Sequence, residues 1–143
     1  MAERLSSQEA DVKRRFAMVL GIAAAATGLM VTGAQAEAKA DTRVINGAGA
    51  AACPSHYFCL YEHIDYNGSG NGRILLTQSS VPDLRLYGFN DVASSVINNT
   101  ADFVVVYKNV HYKGLQRAFT PSQRAGSLVG TGLNDGISSV RVF

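Results

Sequence analysis

The hydrophobic and polar positions divide the chain into one continuous apolar stretch near the N-terminus and a series of short apolar segments after Tyr57. The short segments are β-branched or aromatic and are separated by glycine and asparagine, which is typical of strands joined by tight turns. No sustained helical period with capping residues interrupts them. We therefore predict an all-β sandwich with Greek-key connections. The predicted strands cover residues 58–61, 72–77, 93–97, 103–107, 115–120 and 137–143.

The apolar stretch at residues 16–33 has the features of an export signal. The basic residues 13–15 precede it, and the small residues Ala34 and Ala36 follow at the positions that a signal peptidase inspects. We predict a signal peptide over residues 1–36 and a secreted, extracellular mature chain that begins at Glu37 and has no contact with a membrane. A retained membrane anchor is the alternative. Arg14 and Arg15 also raise a twin-arginine route, although the rest of that motif is poor.

The mature region begins with residues 37–52, which are rich in alanine, glycine and polar side chains and lack an apolar period. We expect this segment to be flexible. The 107 residues after position 36 suffice for one domain with its own core. They carry nine basic and eight acidic side chains. Because they contain no basic run, nucleic acid is excluded as a partner.

Two phrases of sequence occur twice at nearly the same spacing. Residues 61–68 and 107–114 share the pattern Tyr-x-x-x-x-Tyr-x-Gly at an offset of 46 residues. Residues 90–95 and 134–139 share Asn-Asp-x-x-Ser-Ser at an offset of 44 residues. A repeat of this period indicates a duplicated supersecondary unit. A site built from these phrases should therefore exist twice. We expect Gly68 and Gly114 to adopt positive φ within a folded hairpin.

The second phrase offers only oxygen ligands: amide, carboxylate, backbone carbonyl and hydroxyl. Such a set suits calcium, which accepts six to eight mixed oxygens in loose geometry. The alternative is a network in which the polar side chains satisfy backbone groups of a hairpin. The repetition in an exported chain favours calcium.

The two cysteines, Cys53 and Cys59, lie in the exported region, where an even number favours a disulfide over free thiols or zinc ligands. The three histidines, His56, His63 and His111, lack the spacing of a zinc site. Motifs for a nucleophilic serine, a zinc peptidase or a phosphate loop are absent from the sequence. We therefore expect no enzymatic activity.

Together, the hairpin and Asn-Asp phrases resemble those of a microbial βγ-crystallin domain over residues 53–143. The resemblance implies two Greek-key units, at about residues 53–99 and 100–143, packed as a two-sheet wedge. It also implies that Leu84 and Tyr87 form a tyrosine corner in the first unit, whereas the second unit has Thr131 in place of the tyrosine.

In calcium-binding members of this family, two ions are each shared between the two loops, and the same arrangement is implied here. The first site would use the Ser94 hydroxyl, the Val92 carbonyl, the Asp135 carboxylate and a backbone carbonyl near Glu62. The second site would use the Ser138 hydroxyl, the Gly136 carbonyl, the Asp91 carboxylate and a backbone carbonyl near Lys108. Asn90 and Asn134 are the first residues of the two phrases, and Ser95 and Ser139 would have the structural role of holding the hairpins in place.

The segment from Cys53 to Glu62 is similar to secreted bacterial proteins of a peptidase-inhibitor family named after a metalloproteinase inhibitor. This similarity implies a monomeric inhibitor with a secreted protease as its partner. The founding inhibitor presents its reactive bond on a disulfide-bounded loop in the second half, where this chain has no cysteine. The reactive site is therefore unassigned, with residues 78–86 and 120–132 as candidate loops. A structural or stress-related calcium module with no protease target is the alternative function.

Overall fold

The computed structural model describes residues 42–143. The predicted signal peptide and the start of the predicted flexible segment lie outside this range. The described chain is built from antiparallel strands, two 3-10 turns (Ala50–Ala52 and Leu84–Tyr87) and one four-residue helical turn, α1 (Ile64–Asn67). The strands are β1 (Arg43–Gly47), β2 (Phe58–Tyr61), β3 (Gly72–Thr77), β4 (Ser95–Asn98), β5 (Val104–Asn109), β6 (Lys113–Phe119), β7 (Arg124–Ala125) and β8 (Ser139–Val142).

The strands form two antiparallel sheets, one with the order β1-β3-β2-β4-β7 and one with the order β6-β5-β8. This arrangement confirms the predicted all-β fold with two sheets. The six predicted strands are all present, with ends that differ by up to two residues. The prediction missed β1 and β7. β7 has only two residues, too few for an alternating pattern to be visible in the sequence.

Each half of the domain contributes one segment to the sheet of the other half. Val81, between β3 and β4, pairs with Val140 in β8 through an isolated bridge. Reciprocally, β7 of the second half pairs with β4 of the first, with Ala125 opposite Val96. These exchanges are the crossovers of two Greek-key motifs, and they mean that neither half completes its sheet alone.

The main core lies between the two sheets and draws on both halves. Large side chains such as Phe58, Phe89 and Phe119 are fully buried there, and the rings of Phe58 and Phe119 are 6.0 Å apart. Burying a side chain of this size stabilises a fold by roughly 1.5–3 kcal/mol. Since the contacts cross the boundary between the halves, they stabilise the two motifs as one unit.

A second apolar cluster covers the outer face of the first sheet and corrects the expected flexibility for residues 42–52, the described part of the segment 37–52. Within that segment, β1 is an ordered strand that pairs with β3, with Ile45 opposite Ile74. The following 3-10 turn packs against the buried Tyr61, whose hydroxyl donates to the Gly49 carbonyl at 3.1 Å. Burial raises the pKa of Tyr61 to about 12. Backbone pairing with a neighbouring strand orders this segment although its own sequence is only weakly apolar.

The predicted disulfide between Cys53 and Cys59 is present and belongs to this second cluster. It joins the N-terminal segment to the buried strand β2, where Cys59 is fully buried. Closing so short a loop reduces the entropy of the unfolded chain and thereby stabilises the folded state by roughly 2 kcal/mol. The disulfide therefore holds the N-terminal segment on the outer face of the first sheet.

The connection between the halves depends on the buried side chain of Asn98. Its amide nitrogen donates to the carbonyls of Asp102, Phe119 and Thr120 at 2.9–3.1 Å. Its amide oxygen accepts from the N–H and the hydroxyl of Thr100. A single side chain thus provides hydrogen-bond partners for backbone groups of both the linker and the end of β6.

We expect Asn98→Ala to lower the free energy of unfolding by about 3 kcal/mol or more, because it leaves several buried polar groups without partners. Denaturant unfolding of the variant measures this loss. Asn71→Ala, at an exposed position, is the matched control and should change stability by less than about 0.5 kcal/mol. Equal losses in the two variants would contradict this role of Asn98.

Candidate metal-binding loops

Each repeated hairpin contains a left-handed turn that folds one tyrosine over another. In the first hairpin Asp65, Tyr66 and Asn67 have φ values of 49°, 58° and 59°. The rings of Tyr61 and Tyr66 meet edge to face at 5.5 Å, and the equivalent rings of the second hairpin at 5.8 Å.

The two hairpin glycines differ from each other. Gly114 has the expected positive φ of 79°, but Gly68 has a right-handed φ of −64°. The expectation for Gly68 was therefore wrong. A Cβ atom at Gly68 would lie 2.8 Å from the Asp65 carbonyl oxygen, so glycine is required there by close approach rather than by φ.

The last serine of each Asn-Asp phrase holds the hairpin turn of its own half. The Ser95 hydroxyl donates to the His63 carbonyl at 2.6 Å and accepts from the Tyr66 N–H at 3.1 Å. In the second half the Ser139 hydroxyl donates to the Asn109 carbonyl and accepts from the Tyr112 N–H at the matching distances of 2.6 and 3.0 Å. Both serines are fully buried. Their hydroxyls are occupied by backbone groups.

The other predicted serines meet the carboxylate of the opposite half. The Ser94 hydroxyl donates to Asp135 Oδ1 at 3.1 Å, and the Ser138 hydroxyl donates to Asp91 Oδ1 at 3.2 Å. Both aspartates adopt left-handed φ, 56° for Asp91 and 47° for Asp135. This conformation is uncommon outside glycine, asparagine and aspartate. The structure therefore brings together the side chains of each predicted site.

The asparagines that open the phrases stabilise these aspartates. The Asn90 amide donates to Asp91 Oδ2 at 2.7 Å, and the Asn134 amide donates to Asp135 Oδ2 at 2.9 Å. The Oδ1 atoms of both asparagines are buried without a hydrogen-bond partner within residues 42–143. Each loop thus holds an unsatisfied amide oxygen next to its aspartate.

Glu62 and Arg73 flank the first predicted site. Arg73 donates from its backbone N–H and from its guanidinium to the Glu62 carboxylate, at 2.9 Å and 3.0 Å at the closest. These hydrogen bonds hold the pKa of Glu62 below its usual value. Because the Arg73 N–H binds the carboxylate, it does not occupy the Glu62 carbonyl. The predicted ligand is a backbone carbonyl near Glu62. Lys108, the counterpart of Glu62, lies at an irregularity of the β5–β6 pairing.

A cavity of about 330 Å³ opens between the first hairpin and the two loops. Its lining combines residues predicted for both sites. The lining residues are Glu62, His63, Arg73, Asp91, Val92, Ser94 and Asp135. Asp91 and Asp135, predicted ligands of different sites, therefore both border a space large enough for an ion and its water ligands.

The donors around the loops fit a hard cation. They are carboxylate, hydroxyl and carbonyl oxygens, which calcium accepts in mixed sets. Within residues 42–143 no group of three or more His, Cys, Asp or Glu side chains is arranged to hold a metal ion. The fit to calcium therefore depends on serine hydroxyls and backbone carbonyls, and the assignment of ligands stays a prediction.

Sequence reasoning missed Arg73, because a lone arginine in a strand carries no motif. Only the β2–β3 pairing places it opposite Glu62.

Of the two residues of the predicted tyrosine corner, Leu84 is fully buried, whereas Tyr87 is 37% exposed. In the second half the Thr131 hydroxyl donates to the Leu128 carbonyl at 2.6 Å.

The fold and the duplicated loops define a βγ-crystallin-type domain, and comparisons with solved structures agree. A structure from work on the evolution of the eye lens βγ-crystallin domain fold is 28% identical, with a TM-score of 0.58, over 70% of this chain and 96% of that one. Spherulin 3a from Physarum polycephalum is 27% identical, with a TM-score of 0.53, over 70% and 93%. A βγ-crystallin from Ciona intestinalis is 27% identical, with a TM-score of 0.54, over 61% and 99%.

A family model described as peptidase inhibitor family I36 matches residues 46–119, slightly more than half of the chain. The chain therefore belongs to this family. No curated protein matches the sequence. Membership of an inhibitor family indicates a role other than catalysis. Among residues 42–143, no helix has the length and apolar character needed to cross a bilayer.

We expect Glu62→Gln to destabilise the domain at pH 7 by up to about 1 kcal/mol, a modest effect because Arg73 is 42% exposed. The lowered pKa of Glu62 means that its contribution is present above the ordinary value of 4.5 and is lost as the pH falls below it. Thermal unfolding at pH 7 and pH 3 should therefore show a smaller difference between wild type and variant at pH 3 than at pH 7. A difference that persists unchanged at pH 3 would contradict the ionic contribution.

Proposed function

We propose that this protein is exported, binds two calcium ions and inhibits a secreted peptidase. Membership of peptidase inhibitor family I36 supports the inhibitory role. The signal-like leader supports export, and a secreted peptidase would be met in the same compartment.

The reciprocal pairing of Ser94 with Asp135 and of Ser138 with Asp91 is the observation that supports calcium binding best. Each pair joins a hydroxyl of one loop to a carboxylate of the other, so an ion bound there would link the two halves. With about one carboxylate per ion, we expect affinity in the range of extracellular modules. A bound ion would supply a positive charge that draws these oxygens together and stiffens both loops.

Inhibition would proceed by occlusion, with a rigid exposed turn placed in the protease cleft. The 3-10 turn Leu84–Tyr87 has suitable features. Leu86 is 75% exposed at its tip, whereas Leu84 is fully buried at its base. Asp83 accepts from the Arg85 backbone N–H at 2.9 Å and fixes the start of the turn. A turn that is already ordered loses little conformational entropy on binding.

A second candidate function is a structural calcium module with no protease target. Both cysteines are used in the disulfide under the N-terminal segment. The turn around Leu86 is therefore held by hydrogen bonds and packing alone. This observation favours the structural role, and both roles share the same calcium sites.

We expect calcium to raise the melting temperature of the protein, by about 10 °C or more if one site is saturated at about 100 times its dissociation constant. The double variant Asp91→Ala/Asp135→Ala removes one carboxylate from each site and should abolish this rise. Scanning calorimetry with calcium and with chelator measures both. Asp102→Ala, at an exposed position away from the loops, is the control and should keep the rise. An unchanged rise in the double variant would contradict the ligand assignment.

Inhibition is tested by titrating a thermolysin-like metalloproteinase and a subtilisin-like protease with the protein, with calcium and with chelator. We expect saturable, stoichiometric inhibition of one class, weakened by chelator because the loops then lose their stiffness. Leu86→Ala should weaken inhibition, and Phe103→Ala, at an exposed position outside the candidate loops and the calcium sites, should not. If the folded protein inhibits neither class, the structural calcium module becomes the better interpretation.

A further inference from the structure

The strand registers identify equivalent positions in the two halves. Tyr61 pairs with Ile74 in the first hairpin, and Tyr107 pairs with Gln116 in the second. One residue further along, Glu62 corresponds to Lys108, and Arg73 corresponds to Leu115. The repeats themselves relate Gly88 to Gly132.

The first half contains an ionic clamp between its hairpin and its loop. The Arg73 guanidinium donates to the Glu62 carboxylate at 3.0 Å and to the Gly88 carbonyl at 2.9 Å. It also lies 5.6 Å from the centre of the buried Phe89 ring. The clamp therefore joins the β2–β3 hairpin to the loop at Gly88 and is itself electrically neutral.

The second half replaces this clamp by an apolar contact and a positive charge. A Cβ atom at Gly132 would lie 2.9 Å from Leu115 Cδ2, so Leu115 rests on the same loop position that Arg73 reaches in the first half. Leu115 is 48% exposed and offers no hydrogen bond to the loop. Lys108 occupies the sequence position equivalent to Glu62, beside the irregularity in the β5–β6 pairing, and carries a positive charge where Glu62 carries a negative one.

We infer that the two sites are inequivalent and fill in order, the first site at lower calcium concentration than the second. This inference rests on the proposed calcium binding. The positive charge of Lys108 would repel a cation at the second site, whereas the charges of Glu62 and Arg73 cancel at the first. The first site is also pre-organised by the clamp. Together these effects should separate the two dissociation constants on the order of tenfold at low salt.

Isothermal titration of the protein with calcium chloride, at low ionic strength, tests the order of filling. We expect a two-step isotherm. Asp135→Asn should remove the tighter step, and Asp91→Asn should remove the weaker one, since the proposed ligand sets place Asp135 in the first site and Asp91 in the second. Loss of the tighter step in Asp91→Asn would overturn the order of filling.

Two double variants exchange the distinguishing residues. Glu62→Lys/Arg73→Leu gives the first half the residues of the second and should weaken the tighter step to the level of the other. Lys108→Glu/Leu115→Arg makes the reverse exchange and should strengthen the weaker step by about tenfold. The reverse exchange stands as a test even if the first variant does not fold. An unchanged weaker step in the folded reverse variant would overturn the role of these residues.

The outcomes separate this inference from the proposed function. Two equal sites in the wild type would overturn the inference and leave calcium binding intact. No heat of binding and no change in melting temperature with calcium would overturn calcium binding itself.

Discussion

The exchange of strands between the two halves is the constraint on which the rest of the structure depends. Val81 extends the second sheet, and β7 extends the first, so that each sheet is completed by the other half. Unpaired backbone groups at these positions would be costly if the halves separated. The shared core follows from the same exchange, because the crossing segments bring the apolar faces of both sheets together.

The exchange also determines the geometry of the loops. Each Asn-Asp phrase ends in the strand of its own half, but its aspartate reaches the serine of the other half, at 3.1 and 3.2 Å. A cation bound at these oxygens would therefore couple the halves at a second point, away from the core. Stability and ligand binding would then depend on the same contact between motifs.

The two halves share this arrangement but differ in the interactions that stabilise it. The outer face of the first sheet is covered by the N-terminal segment and its disulfide. The ionic clamp of Arg73 with Glu62 and Gly88 also belongs to the first half. The second half has Leu115 and Lys108 at the equivalent positions. The first half is thus reinforced by interactions that the duplicated phrases do not encode.

The sequence by itself determined the repeat, the all-β class, six of the eight strands, the disulfide and the residues of both loop phrases. These features follow from local patterns: alternation, turn residues, spacing and cysteine count. Only the tertiary structure decided that β1 is ordered, that β7 crosses to the other sheet and that Arg73 reaches Glu62 and Gly88. These features depend on pairing between residues distant in sequence, and the short segments involved show no alternation of apolar and polar residues of their own. The right-handed Gly68 belongs to the same group, because close approach to the Asp65 carbonyl, and not turn type, explains the glycine.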